Sequence, residues 1–206
     1  MKLARGIVVI VAALALAACR PVAPVESGAV LFEDDFTNTD SGWNQGGGAD
    51  YADGVYQIEV REPQTKVWAN PGQSFSDVII DVDATTLAGP FDNDFGVQCR
   101  VTDSENYYFM LISADGFQVI GAVIEGEAAF LSDDVMQPSD AILQGNETNH
   151  LRAACVGPEL TLTVNGTLVA QATDDSLEEG DVGLMAGSYV EGGVQILFDN
   201  FKVVQP

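Results

Sequence analysis

From Leu31 to the C-terminus the chain is a succession of short apolar runs separated by turn residues, and no other feature constrains the fold as much. The runs are 30–36, 54–60, 65–69, 77–87, 94–102, 106–113, 116–123, 127–131, 149–156, 159–164, 167–173, 181–187 and 194–204. Several alternate with period 2, as strands with one buried face do. Leu160, Leu162 and Val164 point one way, and Thr161, Thr163 and Asn165 the other. Asp53-Gly54, Asp115-Gly116, Gly157-Pro158 and Asn165-Gly166 punctuate the runs. Asn165-Gly166 is the strongest hairpin signal, because both central positions of its turn need positive φ. No long window carries a helical stripe, and only 133–145 has the composition of a helical turn. Many short, evenly spaced strands predict an all-β fold, a two-sheet antiparallel sandwich, as one domain over residues 28–206.

The run 106–113 is apolar on both faces: Tyr107, Phe109 and Leu111 alternate with Tyr108, Met110 and Ile112. Only one face of a sandwich strand meets the core. The other face must then be covered, or shaped into a concave ligand surface. If Phe109 faces the core, Tyr108 and Arg100 face that surface.

Apolar residues make up 47% of the chain and charged residues 19%, which excludes global disorder. Eight Lys and Arg stand against 31 Asp and Glu, for a net charge of −23. Nucleic acid and anionic lipid surfaces need clustered positive charge, so neither is an expected partner.

Lys2 and Arg5 precede an apolar stretch, Gly6 to Ala18, too short to span a bilayer as a helix. It has the length of a signal-peptide core. It ends in Leu16-Ala17-Ala18-Cys19, which resembles the bacterial lipoprotein signal. That resemblance implies removal of residues 1–18 and a diacylglycerol on Cys19. It also implies a tether over 19–27 and a place in the bacterial cell envelope, lipid-anchored on the extracytoplasmic side. An ordinary signal peptide cut at an Ala-x-Ala site is the alternative. Export to an oxidising compartment favours a disulfide between the remaining cysteines, Cys99 and Cys155. Two buried free thiols are the other reading.

The ordered signatures LFEDDF, SGW at 41–43, DGVYQI, FSDVIIDVD, FGVQCR, NYYFMLIS, NHLRAACVG, LTVNG, GDVGLMA and FDNFKV carry a further resemblance, covering 31–204. The domain resembles the concanavalin A-like lectin/glucanase jelly roll, and especially its laminin-G-like and 3-keto-disaccharide hydrolase-type versions. Its glucanase members use two acids in a pattern near E-x-D-x-x-E, which this chain lacks. Glu125 and Glu127 lie in a Gly-flanked turn, and Asp81 and Asp83 read as a solvated strand face. Arg100 matches the arginine of the hydrolase-type G-x-x-x-R pattern from Gly96, a residue that could grip sugar hydroxyls or serve a structural ion pair. His150, the single histidine, reads as a surface residue, and Gly46-Gly47-Gly48 as a flexible loop.

Sugar-binding surfaces combine aromatic faces with polar side chains. The candidate ligand-binding residues are Trp43, Tyr51, Phe91, Arg100 and Tyr108, with Trp68 and Tyr107 as further aromatics. The resemblance also implies a structural Ca²⁺ at Asp35, the Gly54 carbonyl and Asp199. The leading expectation is a carbohydrate- or glycoconjugate-binding module without catalytic residues. The alternatives are a carbohydrate-active enzyme and a structural envelope protein that contacts other proteins.

Overall fold

The computed structural model describes residues 28–206, and the expected signal segment, the expected lipidation at Cys19 and the expected tether lie outside the described residues. The strands are β1 (Val30–Asp34), β2 (Ala49–Ala52), β3 (Val55–Val60), β4 (Lys66–Ala69), β5 (Ser74–Phe75) and β6 (Val78–Ala88). They continue as β7 (Asn93–Asp103), β8 (Asn106–Ile112), β9 (Phe117–Ile124), β10 (Glu127–Phe130) and β11 (Gln137–Pro138). The last five are β12 (Thr148–Val156), β13 (Glu159–Val164), β14 (Thr167–Thr173), β15 (Gly180–Ser188) and β16 (Val194–Val204). They form two antiparallel sheets of eight strands each. Sheet A runs β14-β13-β12-β6-β16-β3-β2, with β1 on β16; sheet B runs β10-β9-β8-β7-β15-β4, with β11 on β9 and β5 on β15.

All thirteen apolar runs are strands, and the expected turn at Asn165-Gly166 joins β13 to β14 with φ of 51° and 82°. The segment 133–145 holds β11 and turns rather than a helical turn. The strands β2, β5 and β11 escaped the pattern: β5 and β11 are two residues long, too short to show a period, and β2 (ADYA) follows the glycine loop with no apolar run of its own.

The core lies between the sheets. Sheet A contributes Ile58, Ile80, Val82, Leu151, Leu162, Ile196 and Phe198; sheet B contributes Phe95, Val97, Tyr108, Met110, Ile112, Ile120 and Leu184. Cys99 of β7 and Cys155 of β12 form the expected disulfide and tie one sheet to the other. The phase of β8 is therefore settled: Tyr108 faces inward, and Tyr107, Phe109 and Leu111 face outward.

Candidate functional site

The outward apolar residues of sheet B form the site. Tyr107, Phe109, Leu111, Val119, Val123 and Met185 cluster on this face, with Val101 and Met136 packed against them. They floor a groove of about 550 Å³ that also takes in Lys66, Asp94, Glu105, Phe130 and Tyr189. Strand register builds the floor. Phe109 of β8 and Phe130 of β10 sit on either side of Gly121 of β9, their rings 6.2 Å apart and edge-on. A Cβ at Gly121 would overlap the Phe109 ring, so the missing side chain lets that ring lie flat across the sheet. Phe109 is 6% exposed and Phe130 43%, so one ring is floor and the other an accessible wall. Trp68, paired with Met185 across β4 and β15, is half-exposed beside the groove.

One end of the groove is polar. Asp94 is buried, and its Oδ2 accepts from Lys66 Nζ at 2.5 Å and from the Tyr189 hydroxyl at 2.9 Å. Burial, and then the Asp94 charge, push the Tyr189 hydroxyl pKa upward, so the phenol stays a donor. At the other end lie Ser104, Glu105 and Gly126. Asp94 and Glu105 are the two carboxylates lining the groove. Asp94 lies near the start of β7 and Glu105 beyond its end; the pairs Phe95–Ile112 and Asp103–Asn106 between them are six residues of β8 apart, roughly 20 Å of strand. Retaining and inverting glycosidases need about 5 Å and under about 10 Å between their acids, and this pair meets neither spacing.

Few of the residues singled out in the sequence reach this groove. Trp43 is buried in the core, its ring 4.9 Å from that of Phe201 and 5.3 Å from that of Tyr56. The Tyr51 hydroxyl lies 2.8 Å from Ser41 Oγ and accepts from the Trp43 amide, bracing the same cluster. Phe91 is exposed on the loop between β6 and β7, against Gly145. Tyr108 donates to Asp174 at 2.5 Å and accepts from the Leu177 amide; burial and then Asp174 raise its pKa to about 12.

Arg100 also faces away from the groove. It occupies a left-handed bulge of β7 with φ of 52°, which breaks the alternation on which its expected direction rested. Its guanidinium donates to the Ser76 and Leu177 carbonyls at 3.2 and 2.8 Å and to Asp77 at 3.1 Å. With 3% exposure it is a structural ion pair that, together with Tyr108, pins the chain after β14. Phe109, Phe130, Tyr189 and the Lys66–Asp94 pair form the groove instead. The sequence does show Phe109 and Phe130 in strand runs, but not which way their rings point.

The outer face of sheet A is different. A hollow of about 810 Å³ there is lined by Asp34, Asp35, Asp81, His150, Arg152, Asn200 and Lys202, among others. His150, expected as an ordinary surface residue, bridges Asp83 at 2.8 Å and Asp81 at 3.3 Å. Arg152 donates to both Asp81 oxygens, and Asn200 to Asp83. Hydrogen bonding to Asp81, only partly offset by burial, raises the His150 pKa to about 9. Burial disfavours the Asp81 charge, but His150 and Arg152 outweigh it and hold its pKa below the usual value.

Of the expected calcium ligands, Asp35 accepts from the Thr37 amide and hydroxyl, and Asp199 from the Asn200 amide. Among the described residues no group of three or more His, Cys, Asp or Glu is placed to hold a metal.

Comparison with known proteins agrees with the two-sheet jelly-roll sandwich. The family model of the 3-keto-alpha-glucoside-1,2-lyase-like domain matches residues 29–204, and the chain belongs to that family. Among solved structures, the chain resembles a carbohydrate-binding module, CBM66, from Bacillus subtilis: TM-score 0.64, 21% identity, 80% of this chain and 96% of that one. A protein of unknown function with a galectin-like fold from Bacillus subtilis aligns with TM-score 0.65 at 13% identity, over 87% and 97% of the two chains. A β-glucanase from Bacillus licheniformis aligns with TM-score 0.61 at 12% identity, over 88% and 100%. At these identities the likeness is one of fold. No curated protein matches the chain.

Proposed function

We propose that this domain is a lipid-anchored, extracytoplasmic module that binds carbohydrate or a glycoconjugate in the groove of sheet B. The observation that carries the reading is the groove's composition: outward aromatic rings at Tyr107, Phe109 and Phe130, with a Lys66–Asp94–Tyr189 hydrogen-bonding end. Aromatic faces take the apolar faces of sugar rings, and charged hydrogen bonds orient their hydroxyls. Membership in a family described by a sugar-cleaving activity, and the fold shared with a carbohydrate-binding module, support the same class of ligand. The pattern of Lys2, Arg5, Gly6–Ala18 and Cys19 supports the anchor.

A specific ligand raises the unfolding temperature by binding the folded state. Thermal unfolding of the full chain against a panel of neutral and acidic polysaccharides should show a rise with one glycan class. That rise should vanish in Phe130→Ala. The absence of any rise across the panel would refute the reading. The family's description also favours a second reading, a carbohydrate-active enzyme. New reducing ends or an unsaturated product on incubation with the stabilising glycan would decide for it.

A further inference from the structure

The strands run between two poles, and the loops at one of them hold apolar side chains in the open. Strand register puts Thr85, Ala88, Thr148 and Gln195 at this pole, together with the loops 89–92, 113–116, 139–147 and 189–193. The Gly28 amide donates to the Gln205 carbonyl at the opposite pole, so the chain enters the domain there. Leu87, Phe91 and Leu143 are each about half exposed at the loop pole, and Val190 is more so. Their loops adjoin. Asn146 donates to the Thr86 and Leu87 carbonyls, and Gly145, at a φ of 79°, brings its backbone against the Phe91 ring. Scattered exposed apolar residues are ordinary, whereas a group gathered on adjoining loops marks an interaction surface.

These loops are held from beneath. Buried Asn93 donates to the Pro90 carbonyl and accepts from the Ala114 amide. Buried Asn149 accepts from the Leu143 amide and donates to the Leu143 carbonyl. The Gly145 amide donates to the Ala114 carbonyl, and Asn165 of the β13–β14 turn donates to that of Ala141. The backbone on either side of Phe91 and at Leu143 is therefore fixed while the side chains stay open to solvent. None of Leu87, Phe91 and Leu143 belongs to the core between the sheets or to the groove floor. A surface ordered in advance loses little conformational entropy on binding.

The rim of this surface is acidic. Asp92 adjoins Phe91, Asp115 lies on the neighbouring loop, and Asp140 and Glu147 flank Leu143. The loops 89–92, 113–116 and 139–147 contain no Lys or Arg. Like charge opposes a second copy of this chain or an anionic lipid surface at the pole. Complementary charge favours a partner that brings Lys or Arg beside apolar side chains. From this arrangement we propose that the loop pole carrying Leu87, Phe91 and Leu143 docks a basic, amphipathic segment of another protein. None of the three lines the groove of sheet B, and docking here does not depend on the carbohydrate reading.

The test selects on the full chain from a displayed library of short random peptides, and titrates the enriched peptides calorimetrically. They should combine Lys or Arg with Leu or aromatic residues, bind at one site per chain and weaken with rising salt. Phe91→Ser with Leu143→Ser leaves every charge in place; it should weaken binding roughly ten-fold or more at an unchanged unfolding temperature. Leu87→Ser alone should weaken it less. Asp140→Asn with Glu147→Gln should also weaken binding, whereas Glu178→Gln with Glu179→Gln, at the opposite pole, should leave it as it was. That contrast separates docking from the general attraction of a cation to a chain of net charge −23. Enrichment of no peptide, enriched peptides without Lys or Arg, or binding that survives the Phe91 and Leu143 double variant within two-fold overturns the proposal. Self-association, or binding to anionic vesicles, that the same double variant abolishes would give the pole to a second copy or to a lipid surface, and overturns it too.

Discussion

The two sheets present opposite outer faces. Sheet A's bears paired charges: Asp81, Asp83, His150 and Arg152 satisfy one another. Sheet B's bears an apolar cluster that the core does not use, with one partly satisfied carboxylate at its end. A set of charges neutralised within itself holds strands together and offers a ligand little that is unspent. Phe130 stands half-exposed over the nearly buried Tyr107 and Phe109, a packed apolar surface outside the core between the sheets. The contrast shows why the larger hollow is not the better candidate site: its polar groups already have partners.

The largest effect expected from dividing the two faces comes from the bond that joins the sheets. The Cys99–Cys155 disulfide closes a separation of 56 residues, which in the chain-entropy model stabilises by about 4 kcal/mol. Replacing both cysteines by alanine should lower stability by about that amount in denaturant unfolding, and weaken both faces together. Next in size, Tyr107→Ala with Phe130→Ala should remove about 2 kcal/mol of glycan affinity, roughly thirty-fold by calorimetry. Asp81→Asn, on the opposite face, should cost about 1 kcal/mol of stability and leave glycan affinity unchanged.

A smaller effect is pH-dependent. His150 carries a folded pKa of about 9 against an ordinary 6.5, because Asp81 and Asp83 stabilise its charged form. A raised pKa means the stabilisation is fully present below about 6.5 and is lost as pH rises through about 9. Because the side chain is 49% exposed, solvent screening holds the effect to under about 1 kcal/mol. Unfolding temperature should therefore fall between neutral pH and pH 9.5 or so, and His150→Asn should flatten that slope. The smallest expected effect is that of Ca²⁺. Asp35 and Asp199 are each turned onto their own neighbours, so millimolar Ca²⁺ should barely move the unfolding temperature. A clear rise, abolished by Asp199→Asn, would place a metal between the two.

Much of this contrast was legible in the chain. The period-2 runs mark the strands, and the doubly apolar run 106–113 announces a covered or concave outer face. The phase of that run was not legible: β7 carries extra residues between Cys99 and Asp103, so counting back from the turn at Ser104-Glu105 crosses a register shift, and only the observed pairing sets Tyr108 opposite Cys99. A cysteine that bridges the two sheets must point inward, so Tyr108 does too, and Tyr107 and Phe109 point out. Arg100 was not legible: a non-glycine residue in a left-handed bulge inverts the alternation, and nothing in FGVQCRV signals it. Trp43 misled for a different reason. Its segment has no strand period, yet Phe36, Tyr56 and Phe201 close around it from three separate parts of the chain. The clamp on His150 was hidden because Asp81 and Asp83 meet it through sheet register, some seventy residues away in sequence.

The central claim, that sheet B and not sheet A is the binding face, is tested most directly by hydrogen exchange. Amide exchange of the full chain would be followed by mass spectrometry, with and without the glycan that most raises its unfolding temperature. The account predicts added protection in β8, β9, β10 and the end of β15, including the segments around Asp94 and Tyr189. Added protection confined to the segments around Asp81, His150 and Asn200, with sheet B unchanged, would contradict it.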